Sequence, residues 1–396
     1  MRIQVRSGDT LWYYSQIFQL PLQLILDSNP GIQAEGLHAG QTVHIPGFVS
    51  SEYQVKAGDS IWKLSRDRGV PMDVILLLNQ SVNPNHLAVG QRLQLPLRVT
   101  WFVVDIRKPY DSAALREDLN RLMDIYPFIV YRNIGNTVMN KPIPELRIGK
   151  GSKQVHVNGA FHANEWITTP VLIKFLNQYL LALTNSSSIR GLAMWPYYEE
   201  VTFSMVPMVN LDGVDLVIHG LPEQEPYRSN VLSYNSGSTD FQGWKANING
   251  VDLNDQFPAL WEREVDRNPV ERGPRDFPGT APLTEPEAIA MANLTRQSDF
   301  DHVLAFHTQG EVIYWGFENR EPPYAETIAN EFARVSGYEA IRNVESYAGY
   351  KDWFIYDFRR PGFTIELGTG VNPLPLSQFD EIYEESLGIL LASLYM

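Results

Sequence analysis

The stretch Val155-His156-Val157-Asn158-Gly159-Ala160-Phe161-His162-Ala163-Asn164-Glu165-Trp166, with Ile167-Thr168-Thr169-Pro170 behind it, decides how the longer part of the chain folds. Val155 to Val157 predicts a buried strand. Thr169 as cap and Pro170 at a first helical position predict a helix running to Leu183. The pattern repeats outward. Val201 to Val206, Val303 to Phe306 and Phe363 to Ile365 read as strands, and Asp111 to Ile125, Thr284 to Gln297, Pro323 to Gly337 and Leu376 to Tyr395 as amphipathic helices. Strands alternating with helices predict one α/β domain over 100–396 with a mostly buried sheet. Ligands of such folds gather where the strands end.

His162 and Glu165, three residues apart on a turn, can point at one metal ion, and His307, following Val303 to Phe306, supplies a third ligand from another strand end. Three protein ligands leave a fourth position for water, as in catalytic rather than structural zinc. The chain has no cysteine, so any metal must be held by His, Asp or Glu. The competing reading makes His162 and His307 two ordinary histidines among eight. His156 and His302, inside the same two strands, read as structural. Glu366 closes the apolar strand Phe363-Thr364-Ile365, where an acid is costly unless paired or functional.

The ordered set His162-x-x-Glu165, Asn210-Leu211-Asp212-Gly213, Gly250-Val251-Asp252-Leu253-Asn254, Phe306-His307 and Phe363-Thr364-Ile365-Glu366-Leu367 resembles the M14 family of zinc carboxypeptidases. The resemblance implies an α/β/α domain with a mixed sheet and one zinc ion on His162, Glu165 and His307. It also implies that Glu366 is the base and proton donor of an amide hydrolysis. Lys245 aligns with the family's carbonyl-polarising Arg, and Tyr347 resembles its mobile active-site Tyr, with Tyr350 as rival. Asp252 is expected to orient a zinc-bound imidazole. One departure bears on specificity. Where digestive members carry Asn-Arg to grip a terminal carboxylate, this chain has Asn254-Asp255, which would repel a free C-terminus and attract an ammonium.

The first hundred residues are different. Val5-Arg6-Ser7-Gly8-Asp9-Thr10-Leu11-Trp12 recurs fifty positions on as Val55-Lys56-Ala57-Gly58-Asp59-Ser60-Ile61-Trp62, and Pro21, Asn29 and Gly40-Gln41 recur as Pro71, Asn79 and Gly90-Gln91. Each unit reads as strand, helix, helix, strand, over 1–48 and 51–97. The pattern resembles the LysM domain, which implies binding of N-acetylglucosamine-containing glycans such as peptidoglycan by Gly8, Asp9, Thr10 and Asn29 in one module and Gly58, Asp59, Ser60 and Asn79 in the other. The plainer reading makes Asp9 and Asp59 helix caps and Trp12 and Trp62 core residues.

The chain has 396 residues, 44% of them hydrophobic, which excludes a disordered chain, and no window is apolar enough for a membrane span. Of the net charge of −14, the part through Arg98 contributes +1 and the remainder −15. Nucleic acid and anionic lipid are therefore poor partners. The polar start without a secretory signal predicts cytoplasmic synthesis of an enzyme acting on wall material, in a sporulating cell or after lysis. Oligomeric state is not legible. Together the two halves resemble the bacterial γ-D-glutamyl-L-diamino acid endopeptidases, which implies cleavage between D-Glu and diaminopimelate or Lys in peptidoglycan stem peptides. The alternatives are a carboxypeptidase or N-acyl deacylase of the same family, or an inactive glycan-binding wall or coat protein.

Overall fold

A computed structural model describes residues 1–33 and 36–396, arranged in two compact units. One unit comprises residues 1–104, 118–130 and 177–195, and the other 105–117, 131–176 and 196–396.

The second unit is organised by an eight-stranded mixed sheet. Its strands run in the spatial order Glu339–Ile341, Val312–Tyr314, Gly362–Glu366, His302–His307, Lys153–Gly159, Val201–Val206, Pro142–Ile148 and Val130–Asn136. The four strands from Gly362–Glu366 to Val201–Val206 are mutually parallel, and antiparallel partners flank them on either side. These four are the apolar runs seen in the sequence: Val155, Val157, Val303, Leu304, Phe306, Phe363 and Ile365 are buried. A strand covered on both faces reads as a mostly apolar run, and the polar members His156, Asn158, Ser204 and His302 are buried here as well. Because the four point the same way, His307, Glu366 and the turn after Gly159 emerge at one end of the sheet.

The expected helices appear as Ser112–Ile125, Thr168–Asn185, Pro286–Arg296, Ala325–Ser336 and Phe379–Tyr395. Thr168 lies inside the second of these, because its hydroxyl donates to Glu165 O at 2.9 Å and accepts from Ala160 N at 2.9 Å. The backbone here is crowded. A methyl on Gly159 would lie 2.9 Å from Thr168 Oγ1 and 3.2 Å from Pro207 O. Only glycine lets the strand end pass so close to both.

In the first unit the two repeats fold as expected. One is Arg2–Gln4, Leu11–Phe18, Leu22–Asp27 and Thr42–His44; the other is Phe48–Gln54, Ile61–Arg68, Met72–Leu78 and Arg92–Arg98. In each, the outer strands pair antiparallel. The two modules are joined to each other. Arg6 makes a bidentate pair with Asp73 at 2.8 and 2.6 Å, and Tyr13 Oη donates to the same carboxylate at 2.5 Å. Val74 and Leu77 of the second module lie in the core cluster of the first. Burying two such side chains is worth roughly 1.5–3 kcal/mol each. The second module thus supplies part of the core that a repeat of this size lacks.

Two expectations for the repeats need correction. Trp12 and Trp62 are not core residues: they are 62% and 58% exposed. The buried stripe is Leu11, Tyr14, Ser15 and Phe18, and position 12 lies about 100° from it around the helix. The caps are Thr10 and Ser60, whose hydroxyls accept from Tyr13 N and Lys63 N, rather than Asp9 and Asp59.

Candidate metal centre

His162, Glu165 and His307 converge at the carboxyl end of the parallel strands, and all three are buried. His162 Nδ1 lies 2.8 Å from Glu165 Oε1, His307 Nδ1 lies 3.0 Å from Glu165 Oε2, and the two Nδ1 atoms are 3.2 Å apart. In a tetrahedral site with bonds of about 2.0–2.1 Å, neighbouring ligand atoms sit about 3.3 Å apart. The triangle has that size, and its donors are those that zinc takes. Without a metal the same atoms are joined by hydrogen bonds, each imidazole Nδ1 facing one oxygen of the Glu165 carboxylate. Desolvation works against a charged His162, yet Glu165 and Asp252 outweigh it and lift its pKa to about 10. A pocket that holds a proton so firmly is one that a dication can fill.

The turn that carries the first two ligands is fixed by backbone bonds. Ala160 adopts φ +51° in the left-handed region, at a cost of about 1–2 kcal/mol. Asn210 N donates to Ala160 O at 2.9 Å, and Asn210 Nδ2 to Phe161 O and Ala246 O at 3.1 and 3.0 Å. Ala163 N donates to Lys245 O at 2.9 Å. Asn210 also caps the Leu211–His219 helix through Gly213 N. One amide thereby ties together three loops.

Around the triangle stands a ring of charged side chains. Asp252 Oδ1 is 3.3 Å from His162 Nε2, the position from which a carboxylate orients a ligating imidazole. Its other oxygen is 3.2 Å from Lys245 Nζ, which donates at 2.8 Å to Asp276. Burial disfavours the Lys245 ammonium, but Asp252 and Asp276 keep its pKa above the ordinary value. Glu366 pairs in register with His307 across adjacent strands, and Leu367 N donates to His307 O at 2.9 Å. Desolvation first, and the Glu165 carboxylate second, push Glu366 up to about 8. A carboxyl poised there can take a proton and give it back near neutral pH.

The chain belongs to the zinc carboxypeptidase family. The family model described as zinc carboxypeptidase matches residues 115–388, and the LysM domain model matches residues 3–46 and 53–96. A protein of Lysinibacillus sphaericus named gamma-D-glutamyl-L-diamino acid endopeptidase 1 is 62% identical over 396 residues, the full length of both chains. An uncharacterized protein of Bacillus subtilis is 44% identical over 305 residues, 76% of this chain and 81% of its own. Among solved structures, bovine thrombin-activatable fibrinolysis inhibitor bound to tick carboxypeptidase inhibitor aligns with a TM-score of 0.56 at 17% identity, over 73% of this chain and 97% of that one. Carboxypeptidase A of Helicoverpa armigera aligns with 0.53 at 16%, over 84% and 85%. These two likenesses show the fold.

The remaining site residues of this zinc carboxypeptidase fold fall into two groups. Asn254 and Asp255 lie on the short Leu253–Asp255 turn directly after Asp252. Desolvation, then Asp252 and Glu264, push the Asp255 carboxyl well above the usual range. Among the described residues no Lys, Arg or His lies within ion-pair distance of it, and its side chain only accepts a long 3.4 Å bond from Asn268. Tyr347 is half-buried, whereas Tyr350 is fully buried, bonded to Thr295 Oγ1 at 2.9 Å and packed among Phe161, Phe257 and Trp353.

Of the LysM residues, Gly8, Thr10, Gly58 and Ser60 are exposed, Asp9 and Asp59 are half-buried, and Asn29 and Asn79 are buried. Asn29 Nδ2 donates to Ile25 O and His44 O, and its Oδ1 accepts from His44 N; Asn79 repeats this with Ile75 O, Gln94 O and Gln94 N. Both amide donors are spent, so these side chains tie helix to strand. Asp9 holds Arg6 and Tyr14, and Asp59 holds Tyr53, Lys56 N and Lys63. Gly8 and Gly58, at φ +87° and +82°, leave open space beside the loop. The sequence reading missed Asp276, Glu264 and Asn268, which lie outside every motif and have no periodic pattern around them.

Among the described residues no helix is long and apolar enough to cross a membrane.

Proposed function

We propose that this chain is a zinc-dependent endopeptidase that hydrolyses the γ-D-glutamyl amide of a diamino acid, diaminopimelate or Lys, in peptidoglycan stem peptides. The glycan is held by its two modules, 1–48 and 51–97, and the chemistry is done by 100–396. The observation that carries the reading is Asp255: among the described residues no Lys, Arg or His lies within ion-pair distance of this acidic side chain, which follows Asp252 at the position where carboxypeptidases of this family grip a terminal carboxylate with arginine. The full-length likeness to the Lysinibacillus sphaericus endopeptidase supports the same bond.

The residues divide the work as follows. His162, Glu165 and His307 hold one zinc ion, which supplies a Lewis acid for the scissile carbonyl and acidifies water. Glu366 takes the proton of the attacking water on its carboxylate and returns it to the leaving amine of the diamino acid. Two donors of the Lys245 ammonium go to Asp252 and Asp276, and the third stabilises the developing oxyanion as a point charge. Asp255, beside Asn254, pairs with the side-chain ammonium of the diamino acid. Tyr347 covers the bound peptide. Tethering by the LysM pair raises local substrate concentration without altering the chemical step.

The reading is tested by comparing a stem peptide carrying a free side-chain amine with one N-acetylated there. The acetylated peptide should lose about tenfold or more in kcat/KM, the range of a hydrogen-bonded charge. Equal rates would remove Asp255 as the reader.

A further inference from the structure

Tyr347 is held from the side by the short Trp261–Val265 helix. Glu264, 7% exposed, accepts the Tyr347 backbone N–H on Oε2 at 2.7 Å. Arg263 and Arg267 stand 5.5 and 5.6 Å from the Tyr347 ring, and Phe317 meets it edge-on at 6.3 Å. The other Glu264 oxygen accepts from Asn268 Nδ2 at 2.8 Å, and that same nitrogen reaches Asp255 Oδ2 at 3.4 Å. The next residues of both segments are knitted together, Phe257 N to Ala348 O at 3.0 Å and Ala348 N to Ala259 O at 2.9 Å.

We infer that Glu264 is a positioning residue: it fixes the backbone from which Tyr347 acts and, through Asn268, ties that backbone to Asp255. A buried carboxylate is expensive unless its hydrogen bonds are needed. Among the described residues Glu264 meets one cation, Arg267 at 3.7 Å, so its place is set mainly by the two N–H groups that it accepts. Both lead to residues at the site. An ammonium arriving at Asp255 competes for the long Asn268 contact and leaves that amide to Glu264 alone, so the specificity carboxylate and the Tyr347 segment share one bridge.

This inference rests on the endopeptidase reading for the roles of Asp255 and Tyr347, but its first test needs no substrate. Hydrogen exchange of the zinc-loaded protein should show the Tyr347 amide exchanging at least about tenfold faster in Glu264→Ala than in wild type, as expected when a charged acceptor is lost. Glu264→Gln, which keeps an acceptor, should restore protection. Unchanged exchange in Glu264→Ala would overturn the inference whatever the enzyme cleaves. The second test is a cycle with Tyr347→Phe on the cleaved stem peptide. Glu264→Ala should lower kcat about tenfold with KM within twofold, and should cost nothing further when added to Tyr347→Phe. Multiplied losses would mean that Glu264 acts elsewhere and would overturn it. Should Glu264→Ala fail to fold, Asn268→Ala replaces it: faster Tyr347 exchange supports the bridge, and unchanged exchange removes it. If neither peptide is cleaved by wild type, the endopeptidase reading fails while the exchange result still decides Glu264.

Discussion

The Nδ1 atoms of His162 and His307 face each other across 3.2 Å, with the Glu165 carboxylate closing the triangle. The triangle has the size and donor set of a zinc site, and an ion that binds only the folded chain there would stabilise the fold.

Removing the ion should therefore destabilise the protein. At metal concentrations about a hundredfold above Kd, zinc adds about 2.7 kcal/mol to stability, and a strong chelator should take that away as a lower Tm. Glu165→Gln should bind less zinc by elemental analysis and show a smaller chelator effect. Equal Tm with and without chelator in zinc-loaded wild type would contradict the site.

Substituting Asp255→Arg reverses the charge next to Asn254 and restores the pair found in carboxypeptidases. Preference for the free-amine stem peptide should fall by about tenfold or more, and release of C-terminal residues from ordinary peptides should rise. Chromatography of both product sets checks this. An unchanged preference would mean that another group reads the diamino acid.

The two strand histidines predict an acid limit to stability. Burial lowers His156 to about 3, helped by Arg147, and lowers His302 to about 3, helped by Lys153. Both are neutral in the fold: His156 Nδ1 contacts Ser204 Oγ at 3.0 Å, and His302 Nε2 donates to Ser393 O at 3.1 Å. Above the unfolded value of about 6.5 their contribution is complete. Below it the unfolded chain takes up protons that the fold refuses, so stability falls by about 1.4 kcal/mol per pH unit for each histidine until about pH 3. His302→Gln, which keeps a donor for Ser393, should flatten the acid slope by about one proton in denaturant titrations between pH 6 and 4. An unaltered slope would place the acid sensitivity elsewhere.

The Arg6–Asp73 clamp gives a prediction for the repeats. Arg6 and Asp73 are both partly solvated, so a double-mutant cycle of Arg6→Ala and Asp73→Ala should return a coupling of about 1–2 kcal/mol, modest but above that of an exposed pair. Coupling near zero by denaturant unfolding would mean that the ion pair adds nothing to the packing of Val74 and Leu77 in joining the modules.

The parallel strands were readable because a strand buried on both faces is mostly apolar, and the His162–Glu165–His307 cluster because its members end or closely follow two such strands. The flanking strands Val130–Asn136 and Pro142–Ile148 escaped notice, since Arg132, Asn133, Gly135 and Asn136 break any alternation in one and Pro142 opens the other. Trp12 and Trp62 were misjudged because apolar character was weighed above helical phase, although Leu11, Tyr14 and Phe18 already marked the buried side. Asn29 and Asn79 looked like ligand groups because a sequence shows an amide but not the carbonyls it will meet. Glu264 was invisible for a related reason: its partner is the backbone of Tyr347, eighty-three positions away.

The most direct test of the central claim is mass spectrometry of a defined muropeptide after incubation with zinc-loaded protein, beside Glu366→Gln. The account predicts release of L-Ala-D-Glu with a new amine on the diamino acid for wild type and intact substrate for the variant. Loss of a C-terminal residue alone, or equal cleavage by Glu366→Gln, would contradict it.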